Sequence, residues 1–168
     1  MDDVVAQIVR RFDLKPHPEG GYFREVYRSE LRLQHPGVSA DADNGRYAGS
    51  LIYFLLGDKD FSAFHRVKWT DEIWHIYGGG PIELHVIDGE GRYALHTIST
   101  DVTRGDPTHV VPAGCWQAAR VAPGAPWALG GCTVAPGFEF SDFEMPARST
   151  LIESFPEHSG IITELTRP

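Results

Sequence analysis

The chain has 168 residues, 42% of them hydrophobic and 23% charged, with a formal net charge of −8. That length suits one domain that buries its own core without disulfide or metal props. The acidic balance, with no run of Lys or Arg, excludes the clustered cations that nucleic-acid binding needs, and fits a small neutral or cationic ligand better than an anion unless a local basic pocket accepts one.

The N-terminal stretch MDDVVAQIVRR is acidic where a secretory signal is basic, and no apolar run approaches the roughly 20 residues of a membrane span. A cytoplasmic protein without membrane or nucleic-acid partners is expected. Within residues 3–12, Val4, Val5, Ile8, Val9 and Phe12 recur at helical spacing, which predicts an amphipathic helix with Asp2 and Asp3 at its positive end. Two prolines and two glycines between Lys15 and Gly21 then predict a break in regular structure. In this turn His17 and Glu19 are read first as hydrogen-bonding the loop backbone.

A strand is predicted from Tyr22 to Ser29. Strict alternation puts Tyr22, Arg24 and Arg28 on one face and Glu25 and Tyr27 on the other, so the two arginines read either as a clamp for a carboxylate or phosphate or as a surface ion-pair ladder. Residues 31–49, with Pro36, Gly37 and the run from Asp41 to Gly45, read as a surface loop and candidate lid. Leu51 to Leu56 is apolar on both faces, as a strand between two layers is.

Seven further short strands follow: Phe61–Trp69, Glu72–Tyr77, Ile82–Ile87, Tyr93–Ser99, Thr108–Val111, Trp116–Val121 and Trp127–Val134, each bounded by Gly, Pro or Asp. Regular short strands of this kind predict an all-β fold, a sandwich or a jelly-roll β-barrel, spanning about residues 22–143. Apolar residues at helical spacing return in Leu151, Ile152 and Phe155 and in Ile161, Ile162 and Leu165, so short helices are expected over about 147–166. One domain, 1–168, accounts for the whole.

Chemistry concentrates in two stretches. FHRVKWTDEIWHIYGG places His65, Glu72 and Gly79 so that a hairpin can bring imidazole and carboxylate to one inner wall, where they can share a metal or a proton. Pro112-x-Gly114-x-x-Gln117 makes a turn that aims Gln117 inward. Trp74 alternates onto the face of Glu72 and reads equally as a stacking wall or as core. Cys115, sharing the face of Gln117 by alternation, is a candidate for the same pocket, whereas Cys132 reads as an inert core residue. Tyr53 and Arg120 are candidates for orienting a ligand. His75 points away from Glu72 and reads as structural, and His35, His85, His96, His109 and His158 receive no role.

These two stretches resemble the paired motifs of the cupin superfamily. His65 matches the first motif's leading histidine, Glu72 its glutamate and Gly79 its closing glycine, but Val67 stands at the second histidine position and Gln117 at the histidine of the second motif. His17-Pro-Glu-Gly-Gly-Tyr22, Ser62-x-Phe-His-Arg66, Asp71-Glu-x-Trp-His75, Val111-Pro-x-Gly-x-Trp-Gln117 and Pro136-Gly-Phe-x-Phe140-x-Asp-Phe143 are together similar to the signatures of the DUF985 (Cupin_5) family. That resemblance implies a jelly-roll cupin, commonly a homodimer.

Three functions remain open at this stage. One is an isomerase or epimerase working through the His65–Glu72 acid/base pair, a chemistry that metal-free cupins related to sugar-nucleotide epimerases share by fold analogy. The second is a metal-dependent dioxygenase or lyase holding Zn, Mn, Ni or Fe(II) through His65, Glu72 and Gln117. The third is a ligand-binding protein without catalysis.

Overall fold

The computed structural model describes residues 4–34 and 45–168. The greater part of the expected lid, residues 35–44 with His35, lies outside the described residues, as do Asp2 and Asp3.

Helix α1 (Val4–Phe12) is followed by β1 (Lys15–Pro16), β2 (Tyr22–Arg28), β3 (Arg32–Leu33), β4 (Arg46–Tyr47), β5 (Ser50–Gly57), β6 (Phe61–Val67) and β7 (Asp71–Gly79). Then come β8 (Ile82–Ile87), β9 (Tyr93–Ile98), β10 (Thr108–Val111), β11 (Trp116–Val121), β12 (Trp127–Ala135), β13 (Phe143–Glu144), α2 (Arg148–Ser154) and α3 (Ser159–Glu164). The all-β architecture and its terminal helices match the sequence reading, and the long strands start and stop within about two residues of the predicted limits.

Two departures are local. The Pro/Gly segment still contributes β1, whose Lys15 and Pro16 lie opposite Phe23 and Tyr22. The polar stretch after Leu31 contains the short hairpin β3–β4. Both are two-residue ladders, which carry too little periodicity to read from sequence.

A six-stranded antiparallel sheet, ordered β1-β2-β5-β12-β7-β10, faces a five-stranded one, ordered β13-β6-β11-β8-β9. The sheets face each other as open layers rather than as one closed ladder. Between them pack Phe54, Leu56, Trp74, Ile82, Leu84, Val86 and Cys132. A second apolar cluster, containing Phe64, Ile87, Ala118, Leu151, Ile162 and Leu165, seats α2 and α3 on the outer face of the five-stranded sheet. β5 is apolar on both faces because Phe54 and Leu56 enter the core while Tyr53 meets Phe12 of α1 edge to face, ring centroids 5.4 Å apart.

Two β-bulges decide what the pocket contains. In β6, Gln117 pairs with His65 but Ala119 pairs with Ser62, so one extra residue bulges out and both Ser62 and His65 turn inward although they are three apart. In β2, Glu25 pairs with Ile52 and Tyr27 with Leu51, so Val26 is the extra residue and Glu25 and Arg28 share the inner face. Strict alternation predicts the opposite in both strands. No helix among the described residues is long and apolar enough to cross a membrane.

Candidate functional site

A pocket of about 700 Å³, counted out to its mouth, opens between the sheets at the end where β2, β6, β7 and β12 meet residues 138–143. Its polar floor is His17, Glu19, His65, Glu72 and Cys132, and much of its wall is Phe23, Ile52, Val67, Val134, Phe138 and Phe143. Size and mixed character fit a small-molecule site.

His65 is the centre of the floor, with a side chain 2% exposed. Its Nδ1 lies 2.8 Å from the carbonyl oxygen of Ala63, the residue the bulge displaces. A carbonyl only accepts, so Nδ1 carries the hydrogen and the lone pair of the neutral ring sits on Nε2. Nε2 lies 3.3 Å from Glu19 Oε2 and 4.0 Å from Glu72 Oε2. The ring stacks on Phe143, centroids 5.3 Å apart. Burial lowers the imidazole's proton affinity, partly offset by the charge of Glu72 and the Ala63 carbonyl.

Glu72 is buried on β7 with two donors facing it. Gln117 Nε2 donates to Glu72 Oε2, and the Cys132 thiol hydrogen-bonds the same carboxylate. Gln117 cannot turn its oxygen there, because Trp74 Nε1, which only donates, lies 2.8 Å from Gln117 Oε1. The chain Trp74–Gln117–Glu72 therefore presents Glu72 with donors that favour its charged form. Burial still raises its pKa, with Glu19 adding to the rise and His65 opposing it.

Glu19 carries the complementary proton. The turn that presents it has Gly20 and Gly21 at φ +116° and +68°; a β-carbon on Gly20 would lie 2.1 Å from the Phe61 carbonyl oxygen. Ala63 N donates to the Glu19 carbonyl at 2.9 Å, tying the turn to the β6 bulge. Glu19 Oε1 accepts from Ser62 Oγ at 2.8 Å. Full burial pushes the Glu19 carboxyl up to about 8, the Ser62 bond offsetting part of the rise. A protonated Oε2 facing the Nε2 lone pair satisfies both groups. His17, 3.4 Å from Glu19 Oε2, is pushed down to about 4 by burial and by His65, and stays neutral.

The remaining residues singled out from sequence lie elsewhere. Gln117 and Trp74 stand behind Glu72 rather than in the pocket, Trp74 packing edge to face on Phe54 at 5.7 Å. Tyr53 and Arg24 face each other across β5 and β2 on the outer surface of the six-stranded sheet, where Tyr53 also meets Tyr77 at 6.0 Å. Arg120 is on the outer face of β11, paired with Glu83 at 2.8 Å and Glu164 of α3 at 2.9 Å.

Both cysteines pack in the core, as expected for Cys132, but it is Cys132 rather than Cys115 that also lines the pocket. Cys115 is in the core near Asp71 and Asp88, while Cys132 faces the pocket opposite Trp74 in the β12–β7 register. Cys115 lies between the Pro112–Gly114 turn and the first residue of β11, so strand alternation does not extend to it. His75 bonds Thr133 Oγ1 at 2.9 Å on the outer face.

The arginine clamp does not form, because the Val26 bulge separates Arg24 from Arg28. Turn chemistry in the sequence points Glu19 to loop support, and strand periodicity singles out none of Phe138, Phe140 and Phe143. The rigid Pro-Glu-Gly-Gly turn and the aromatic spacing near the C-terminal end were the available signals.

The residues do not fit a cupin metal centre. Val67, at a usual histidine position, is an apolar wall, Gln117 offers its NH₂ rather than its oxygen, and among the described residues no three His, Cys, Asp or Glu side chains are arranged to hold an ion.

Two facing antiparallel sheets around such a pocket define a cupin-type, double-stranded β-helix protein. The chain belongs to the DUF985 family of the cupin superfamily, Cupin_5, whose model matches residues 6–146. A hypothetical protein from Leishmania major superposes with a TM-score of 0.86 at 31% identity, over 97% of this chain and 98% of that one. Protein SO0799 from Shewanella oneidensis gives 0.85 at 32% identity, over 100% and 99%. The uncharacterized protein YML079W of Saccharomyces cerevisiae is 30% identical over 148 residues, 82% of this chain and 73% of that protein.

Proposed function

We propose that this protein is an isomerase or epimerase that moves a proton on a carbon next to a carbonyl, with His65 as base, Glu19 as acid and Glu72 as the charge that stabilises the imidazolium. The observation that carries this reading is the position of His65 Nε2, its lone pair facing Glu19 and Glu72 at the floor of a largely apolar pocket.

The steps follow from the protonation states. Nε2 takes the hydrogen from the substrate carbon, and the C–H electron pair moves into an enol whose oxygen accepts the proton of Glu19. Return of the His65 proton to the neighbouring carbon, with the hydroxyl proton of the first carbon passing to Glu19, gives the isomer and restores both groups; inversion at one carbon instead takes a proton from water on the other face, with His65 releasing its own to solvent and Glu19 regaining the enol proton. Glu72, whose charged form Gln117 and Cys132 favour, offsets the positive charge that forms on His65. The 3.3 Å contact between Nε2 and Glu19 is long, so a substrate atom displaces it at little cost.

The test is exchange of substrate hydrogen for deuterium in heavy water, followed by proton NMR across a panel of small ketones, aldehydes and sugars. Wild type is expected to wash out one α-hydrogen of an accepted compound, and His65→Ala and Glu72→Gln to lose the exchange by about 100-fold or more, the usual contribution of general acid–base catalysis. Unchanged exchange and unchanged ligand affinity in both variants would defeat the proposal. A second reading, binding without turnover, is favoured by the depth of His65. It predicts a compound that stabilises the fold and is never consumed.

A further inference from the structure

The pocket's charges point to the kind of molecule it accepts. Among the described residues four glutamates line it, Glu19, which carries a proton, and Glu25, Glu72 and Glu139, against a single arginine, Arg28. Its two histidines, His17 and His65, are neutral for the reasons given above.

Arg28 is the group an anionic ligand would need, and it is already occupied. Its Nε and NH2 lie 2.9 and 2.6 Å from the two carboxylate oxygens of Glu25, a bidentate pair made inside the pocket by the Val26 bulge. Its NH1 reaches the Phe138 carbonyl at 3.1 Å and Glu139 Oε1 at 3.3 Å. The guanidinium plane also covers the Tyr47 ring, 4.9 Å from its centroid. A phosphate or carboxylate entering the mouth would have to break the Glu25 fork and lie against Glu139.

An aromatic wall lines the same pocket. Phe138, Phe140 and Phe143 meet edge to face with centroids 5.1 to 6.2 Å apart. Phe23 extends the wall through His17, 4.5 Å from it. Ring faces beside carboxylates suit an organic ammonium, which gains from both.

We infer that the ligand of this pocket is an uncharged or ammonium-bearing organic molecule with an apolar body, and that Glu25 and Glu139 exclude phosphorylated and carboxylate-bearing compounds by occupying Arg28. This rests on the proposed function only for where the ligand sits. The selectivity comes from the mouth and not from the proton-transfer groups.

Three probes with one ring and different heads test it by calorimetric titration at neutral pH: benzylamine, benzyl alcohol and benzoate. Wild type is expected to bind benzylamine at least about tenfold more tightly than benzoate, with benzyl alcohol between them. Freeing the guanidinium in the double variant Glu25→Gln, Glu139→Gln should strengthen benzoate by at least about tenfold and weaken benzylamine. Glu139→Gln alone, which leaves the Glu25 fork in place, serves if the double variant does not fold, with a smaller shift in the same direction.

Benzoate binding wild type as tightly as benzylamine, an unmoved preference in the variants, or no binding of any probe would each overturn the inference. The two readings fail separately. Ammonium preference without deuterium exchange on any substrate removes the isomerase and keeps the ligand class. Exchange that survives while benzoate binds best does the reverse.

Discussion

Trp74 Nε1 lies 2.8 Å from Gln117 Oε1, and this one contact decides which end of the Gln117 amide meets Glu72. An indole N–H only donates, so the amide oxygen is turned back toward the core and the NH₂ is turned toward the pocket floor. The glutamine that replaces a cupin histidine is thus a clamp on a carboxylate.

The clamp is testable by stability. Gln117→Leu leaves buried Glu72 without its side-chain amide donor and is expected to cost about 1–3 kcal/mol in denaturant unfolding. Trp74→Phe, which releases the amide to rotate, should also lower stability, and its effect should not add to that of Gln117→Leu. Full additivity of the two would mean that they do not act through Glu72.

The same orientation governs metal content. Protein purified without chelator is expected to contain far less than one ion of Zn, Mn, Ni or Fe per chain, and added divalent ions should leave its melting temperature unchanged. Elemental analysis and thermal melts check this. A stoichiometric ion, or stabilisation by one, would show that the amide turns its oxygen forward.

Glu19 gives a signature in pH. Its carboxyl is held up to about 8 against 4.5 when free, so between those values the folded chain keeps a proton that the unfolded chain releases, and stability falls as pH rises through the window. Burial raises Glu72 as well, in the same sense. His17 and His85, both pushed down to about 4 from 6.5, act oppositely, adding stability as pH rises from 4 to 6.5. From pH 6.5 to 8 the lowered histidines, His65 among them, no longer contribute. Wild type should lose stability there, by at most about 1.4 kcal/mol per pH unit from Glu19, and Glu19→Gln should lose less. Equal slopes for the two proteins in denaturant titrations at pH 6.5 and 8 would contradict the protonated Glu19.

Arg46 and Asp142 hold the aromatic wall in place. The buried guanidinium lies 2.6 Å from Asp142 Oδ2 and 2.7 Å from the Gly137 carbonyl, pinning the segment that carries Phe138, Phe140 and Phe143. Arg46→Met strands the Asp142 charge and is expected to cost about 3–5 kcal/mol, while Arg46→Met with Asp142→Leu should recover most of it. A mild effect of Arg46→Met in chemical denaturation would show that the pair is not holding the segment.

The strands and two residues of the pocket floor, His65 and Glu72, were legible because most of the chain follows simple periods, and alternation from Trp74 finds the inner face of β7 correctly. Legibility ends at the bulges. An extra residue near Ala63 or at Val26 leaves no trace in composition, yet it turns Ser62 and Arg28 inward and makes the partners of Glu19 and Glu25. Tyr53 and Arg120 were legible as strand residues but not as outward ones, since a strand apolar on both faces, or one covered by helices, does not announce its inner side. Glu19 was the hardest to assign, because a turn residue gains its role from what folds over it 43 residues later, at Ser62.

The central claim is that neutral His65 carries its hydrogen on Nδ1 and presents a free lone pair at Nε2. Long-range proton–nitrogen correlation NMR of nitrogen-15-labelled protein at neutral pH reads this directly. The account predicts a neutral His65 ring with Nδ1 protonated and Nε2 bare, a pattern retained in Glu72→Gln. A ring protonated on Nε2, alone or as the imidazolium, would contradict it.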